Sequence, residues 1–226
     1  MIEPIKELHA VVEPVFASRR RQQRATITKA NILEAAAKEF AYNGYAATSL
    51  ADLLAASGTT KGAVYFHFTS KEAIARELVA HWSAALTHAA AAAHDSQSPS
   101  VAQISSFFGD LAASIAVSSL ARAGLRLTTE TGIDGAREAF AQWMDITSSL
   151  VDAVIASGRL PDNSTTRQLS WNLCAGFIGT VNIIRVLGDT GDFTARMHSL
   201  VAMHLAACIA ANQADNVLDE STVILR

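Results

Sequence analysis

Residues 57–68 read Ser57-Gly58-Thr59-Thr60-Lys61-Gly62-Ala63-Val64-Tyr65-Phe66-His67-Phe68. A glycine, two threonines able to cap a helix and a short run with Val64 at its centre describe a tight turn followed by a helix over Lys61 to Phe66. Upstream, Thr48 or Ser49 caps another short helix, Leu50 to Ala56, which Gly58 closes. Further out, Thr26 to Asn43 predicts a longer helix with Ile27, Ala30, Leu33, Ala36, Ala37 and Phe40 in one apolar stripe and Gly44 as its left-handed cap. Downstream, Ser70 caps a long fourth helix from Lys71 to about Ala93. This succession is the layout of a helix-turn-helix, with Ala51, Leu54, Ala55 and Val64 spaced to pack its two short helices together.

That packing leaves Thr60, Lys61, Gly62, Ala63 and Tyr65 as the outward face. Such side chains suit the major groove: Lys61 is the candidate for guanine O6 or N7, and small Gly62 and Ala63 permit close approach. Tyr65, His67 and Thr48 are candidate phosphate donors, and Lys71 stands at a helix N-terminus that already favours an anion.

Charge is distributed to match. The 226 residues carry 18 basic and 21 acidic side chains, a net charge of −3 that argues against indiscriminate nucleic-acid coating. Residues 17–76, however, hold nine basic groups against four acidic ones, and all five lysines precede residue 72. Arg19, Arg20, Arg21 and Arg24 form the densest cluster, in a leader over residues 1–24; it reads equally as an arm along DNA and as a solvated tail.

Beyond the loop at 95–100, helices are expected near 101–117, 119–131, 136–157, 165–187 and 193–213, with Gly158, Pro161, Gly188 and Gly191 breaking the later ones and the last dozen residues fraying. No β alternation persists, so the chain is expected to be all-α, with a three-helix DNA-binding domain at 25–72, a larger helical domain at 73–214 and a tail at 215–226. Three stretches without Asp, Glu, Lys or Arg, at 78–94, 168–184 and 197–214, fall short of the roughly 20 apolar residues of a spanning helix. They are expected to be buried, with no membrane partner. Cys174 and Cys208 lie in apolar stretches, read as reduced buried thiols; with no export signal at the N-terminus, the expected location is cytoplasmic. His81 and His88 lack a third metal ligand, and there is no phosphate loop, nucleophile elbow or Cys–His pair, so neither catalysis, a metal nor a cofactor is expected.

The stretch Ile32-Leu33-Glu34-Ala35-Ala36, with Phe40, Gly44-Tyr45, Thr48-Ser49-Leu50, residues 57–68 and Ser70-Lys71-Glu72, resembles the DNA-binding domain of TetR-family transcriptional repressors. Phe66-His67-Phe68, Ala123-Gly124-Leu125-Arg126-Leu127 and Trp143 resemble the γ-butyrolactone receptor branch. The resemblance implies a homodimer on a pseudo-palindromic double-stranded operator, released by a small hydrophobic inducer such as a γ-butyrolactone, furan or butenolide. It further implies pairing through the last two long helices, for which Leu173, Phe177, Val181, Val201, His204, Leu205 and Cys208 are the candidate contacts. Trp143 matches the branch's pocket tryptophan and Thr180 its hydrogen-bonding threonine, while Trp82 stands where some relatives carry glutamine, shrinking or drying the pocket. Set apart from the resemblance, the same apolar core also suits a helical carrier of a lipid-like molecule that binds no DNA.

Overall fold

The structure is a computed structural model that describes the backbone of residues 3–94, 99–188 and 191–224 and the side chains of 19–94, 99–188 and 191–211. Among the described residues all regular structure is helical: α1 (Glu3–Asn43), α2 (Leu50–Ser57), α3 (Lys61–His67), α4 (Lys71–His94), α5 (Val101–Val117), α6 (Ser119–Thr128), α7 (Ala136–Ala156), α8 (Ser164–Arg167), α9 (Leu169–Leu187) and α10 (Phe193–Ile224). The expected helices are present, and their ends follow the glycines: Gly44, Gly58 and Gly188 each take positive φ where α1, α2 and α9 stop.

Four elements differ appreciably from expectation: α6 stops at Thr128 rather than near 131, the helix expected over 165–187 breaks at Gln168 into α8 and α9, and α1 and α10 are longer than expected. α1 begins at Glu3, so the basic cluster is not a tail but an exposed part of a continuous helix; Pro4 sits in the first turn, where proline is tolerated, whereas Pro14 lies in the helix interior and removes one backbone donor there. α10 continues to Ile224, through residues expected to fray.

α4 is the spine. Ile74, Leu78, Trp82, Leu86, Ala89 and Ala93 recur at threes and fours and are all buried, and α5, α6 and α7 pack around them. α5 contributes Ile104, Phe107, Phe108, Leu111 and Ile115 in the same spacing. Each such side chain contributes about 1.5–3 kcal/mol on burial. Where α6 crosses α4, Gly124 lets the backbones meet: a Cβ there would lie 2.3 Å from the Leu78 carbonyl oxygen.

α9 and α10 bury only one side. Leu173, Cys174 and Phe177 on α9 and Met197, Val201, Leu205 and Cys208 on α10 face this subunit's own core, while Trp171, Ile183, Val186, Leu187, Met203 and Ile209 are exposed. The expectation of buried helices therefore holds for one face alone. Leu169–Leu187 and Phe193–Ala211 are long and apolar enough, by length and composition, to cross a membrane, and each is 22% buried in the fold.

Both cysteines are free and buried. Burial pushes the Cys174 thiol up to about 11, against the smaller opposing effect of its hydrogen bond to the Thr147 hydroxyl, and burial also raises Cys208. Since the thiolate is the reactive form, folded protein at pH 8 is expected to take up less than one-tenth of a label per thiol in the time that denatured protein is fully modified. Rapid labelling of the native chain with a chromogenic disulfide reagent would contradict that burial.

Candidate nucleic-acid interface and aromatic core

Ser49 opens α2 with a capping box: its hydroxyl accepts from the Asp52 amide while the Asp52 carboxylate accepts from the Ser49 amide. Hydrogen bonds from the Ser49 hydroxyl, and then from its backbone, hold the Asp52 carboxyl below its ordinary value. Leu53 is the α2 side chain that enters the core. Ala51 and Ala55, expected there, are exposed, and Leu54 is half-buried. α3 begins at Thr60, whose hydroxyl accepts from the Ala63 amide, and Val64 anchors its inner side.

The outer side of α3 carries Lys61, Gly62, Tyr65 and Phe66, with Thr60 at its start. Lys61 Nζ lies 5.8 Å over the Tyr65 ring, and Phe66, 78% exposed, meets His67 edge to face. Ala63 and His67 are half-buried. No heavy atom outside Gly62's immediate chain lies within 4 Å of a Cβ placed on it, so nothing within the fold requires a residue that costs about 1 kcal/mol against alanine in a helix interior. Phe66 was missed by sequence reading, although the i, i+4 spacing from Gly62 puts both on one face.

Two expected DNA contacts are committed elsewhere. Thr48 is buried and its hydroxyl donates to the Gly44 carbonyl at 2.7 Å. Lys71 Nζ donates to the Tyr45 and Thr48 carbonyls at 2.8 and 2.9 Å and sits 4.0 Å over the Tyr45 ring. The loop leaving α1 has carbonyls with no helical partner, and a cation satisfies them better than it would serve a distant phosphate. Burial, followed by the Glu72 charge, raises the Tyr45 phenol.

A second grip on the same loop comes from α6. Arg126 Nη1 donates to the Ala41 and Tyr42 carbonyls, its Nε pairs with Glu130 at 3.1 Å, and Glu130 accepts from the Tyr45 amide at 2.8 Å. Arg126 Nη2 and Glu130 Oε1 stand 2.7 and 2.8 Å from where a Cβ on Gly44 would be, so Gly44 is required both by its φ of +83° and by this closeness. The sequence displays Arg126 but not the carbonyls it reaches, which lie about 85 residues away.

In the C-terminal part, Trp82 and Trp143 meet edge to face at 5.4 Å in a cluster with Phe108, Phe140 and Phe177. Both indoles are fully buried and neither N–H has a hydrogen-bond partner among the described residues. Buried donors of this kind are ordinarily satisfied. Thr180 is half-buried and its hydroxyl donates back to the Gly176 carbonyl, leaving only its lone pairs free. A cavity of about 590 Å³ lies elsewhere, between α1, α5, α6 and α9, and none of Trp82, Trp143 or Thr180 lines it. Of the expected pairing residues, Leu173, Phe177, Val201, Leu205 and Cys208 are buried within the subunit, and Val181 and His204 are half-buried, the latter with Nδ1 2.9 Å from the Leu200 carbonyl oxygen. No group of three or more His, Cys, Asp or Glu able to hold a metal occurs among the described residues.

Residues 32–78 match the family of bacterial regulatory proteins, tetR family. The A-factor receptor protein of Streptomyces griseus is 30% identical over 132 residues, 58% of this chain and 46% of that protein. The HTH-type transcriptional regulator TtgR of Pseudomonas putida is 41% identical over 61 residues, 27% of this chain and 29% of the regulator. The matches thus span less than half the length of these curated relatives. Among solved structures, a γ-butyrolactone receptor (ArpA-like protein) is 25% identical with a TM-score of 0.62, covering 80% of this chain and 97% of the receptor. CprB of S. coelicolor A3(2) is 27% identical with a TM-score of 0.62, covering 71% and 79%. Residues 32–78, which hold the capped helix-turn-helix, thus match the tetR family of bacterial regulatory proteins, and the chain as a whole resembles the γ-butyrolactone receptors in fold and sequence.

Proposed function

We propose that this protein is a cytoplasmic, ligand-responsive transcriptional repressor that binds a pseudo-palindromic operator as a homodimer and leaves it when a small apolar signal enters its C-terminal core. The observation that carries this reading is the open face of α3: Lys61, Gly62, Tyr65 and Phe66 are presented outward by a helix pinned from behind by Val64, inside the segment that matches the family. Lys61 then reads a guanine edge, Gly62 admits the base, and Tyr65 and Thr60 reach the backbone. One helix of seven residues reads few bases, which favours a two-fold protein on half-sites about one turn, roughly 34 Å, apart.

The exposed apolar faces of α9 and α10 support the pairing. Trp171, Val186, Met203 and Ile209 take the place of the largely inward residues that the resemblance implied, and a second copy removes them from water. Toward the signal, two unpartnered indole donors in an aromatic shell favour a molecule with acceptor oxygens and no charge, a class that includes lactones, furans and butenolides. Similarity to an A-factor receptor protein and to a γ-butyrolactone receptor supports the same class of signal. Because Trp82 fills the centre, the signal must favour an expanded core; a difference of about 3 kcal/mol between the two states would change operator affinity about 150-fold.

The test is an electrophoretic shift with DNA from upstream of the protein's own gene, repeated with Lys61→Ala. Loss of a base contact worth roughly 1–3 kcal/mol predicts a fall of about 5- to 150-fold in the preference for operator over random duplex. Unchanged discrimination would remove Lys61 from the interface, and no shift at all would leave the protein a carrier without DNA.

A further inference from the structure

The cavity of about 590 Å³ has a size typical of small-molecule sites, roughly 300–1,000 Å³, and its lining is unusual in its charge. Ile115, Leu125, Ile178, Val181, Ile184 and Phe193 make an apolar wall. Lys38, Arg122, Arg126 and Arg185 line it as well, and no carboxylate does. Two of these cations have acidic partners outside the lining: Lys38 with Glu34 at 3.5 Å and Arg126 with Glu130 at 3.1 Å. Arg122 gives its Nε and Nη2 hydrogens to the Ile115 and Ala116 carbonyls, which fix the guanidinium in place without cancelling its charge. Arg185 has no hydrogen-bond or ion-pair partner among the described residues. Among the described residues, these two positive charges beside an apolar surface therefore have no carboxylate paired with them.

We propose that this cavity is a second ligand site, taking an apolar-tailed molecule that ends in a single carboxylate or phosphate. The tail lies against Ile178, Val181, Ile184 and Phe193, and the anion meets Arg185 and the held guanidinium of Arg122. Arg122 and Arg185 are both exposed, so the anion meets them by charge-assisted hydrogen bonds at the solvent-facing edge while the tail is removed from water against the apolar wall. Lys38, Ala41 and Tyr42 come from α1 and Ile178, Val181 and Ile184 from α9, so an occupant touches the helix that leads to the DNA-facing head and the helix whose other face is exposed. The site is distinct from the indole cluster, which presents donors but no charge; Phe193 is the shared wall, since it contacts Phe177 at 5.5 Å.

Calorimetric titration of the full-length protein with decanoate, decyl phosphate and decanol, each below its micelle or solubility limit, tests the assignment. At least one of the two anions is expected to bind at least tenfold more tightly than decanol, and which anion is preferred identifies the head group. Arg185→Glu, a change at an exposed position, is expected to weaken the anion at least tenfold and leave decanol unchanged. Ala116→Trp, at the exposed rim, should block both, whereas Trp143→Phe should block neither. Equal affinity for decanol and the anions overturns the proposal. So does saturable anion binding that survives Ala116→Trp, or that Trp143→Phe abolishes, or the absence of binding up to about 1 mM.

Discussion

Gly124→Val is expected to lower stability by about 3 kcal/mol or more, which for a chain of this size is a fall of roughly 6–12 °C in melting temperature. A Cβ at this position would stand 2.3 Å from the Leu78 carbonyl oxygen and 2.8 Å from the Trp82 Cβ, and the first of these is backbone that cannot turn aside. α6 would have to lift away from α4, and a gap would open along buried Leu78 and Trp82. Gly124→Ala should act in the same direction but less, because alanine recovers about 1 kcal/mol of helix propensity. Melting followed by circular dichroism decides it: a valine variant within 2 °C of the parent would mean that the two helices do not cross this closely.

Trp143 separates packing from hydrogen bonding. Replacing it with alanine removes the ring that touches Trp82, Phe108, Phe140 and Phe177 and is expected to cost about 3–5 kcal/mol. Trp143→Phe keeps much of that contact and deletes a buried N–H that has no partner. An unsatisfied buried donor costs about 1–3 kcal/mol, so its removal offsets much of the lost volume, and the phenylalanine variant should lie within about 1 kcal/mol of the parent. Urea midpoints of the three proteins provide the comparison. If phenylalanine proves as damaging as alanine, the indole hydrogen is satisfied in solution and is not held ready for a signal molecule.

Helix ends were the most legible part of the sequence, because they rest on local chemistry: Gly44, Gly58 and Gly188 need positive φ, and Ser49 and Thr60 supply side-chain acceptors. Which side of a helix faces inward was legible only where polar and apolar residues alternate clearly, as on α5. On α2 and α9 most positions are small or apolar, so spacing put Ala51 inside when Leu53 is the buried residue of α2, and the resemblance assigned Leu173 and Phe177 to a partner when they are buried in the subunit core. Contacts from cations to backbone carbonyls were illegible. Lys71 and Arg126 carry no mark in sequence of the oxygens they reach, because those oxygens become available only once α1 has ended beside α4 and α6. On α3, Thr60, Lys61, Gly62 and Tyr65 were legible as outward, because a seven-residue helix with one anchor leaves little choice, whereas Ala63 is half-buried and exposed Phe66 was not legible as part of that face.

The grips on residues 41–48 have a mechanical result. Arg126 and Glu130 hold Ala41, Tyr42 and Tyr45 from one side, and Lys71 holds Tyr45 and Thr48 from the other. Fastened at both flanks, the α2–α3 pair is expected to follow α4 and α6 where they lean, as a chisel tip follows its handle. A small tilt between those two helices would then displace α3 sideways. Swaps far from any base pair that shift α4 against α6 should thus alter the distance the tool spans without blunting its edge.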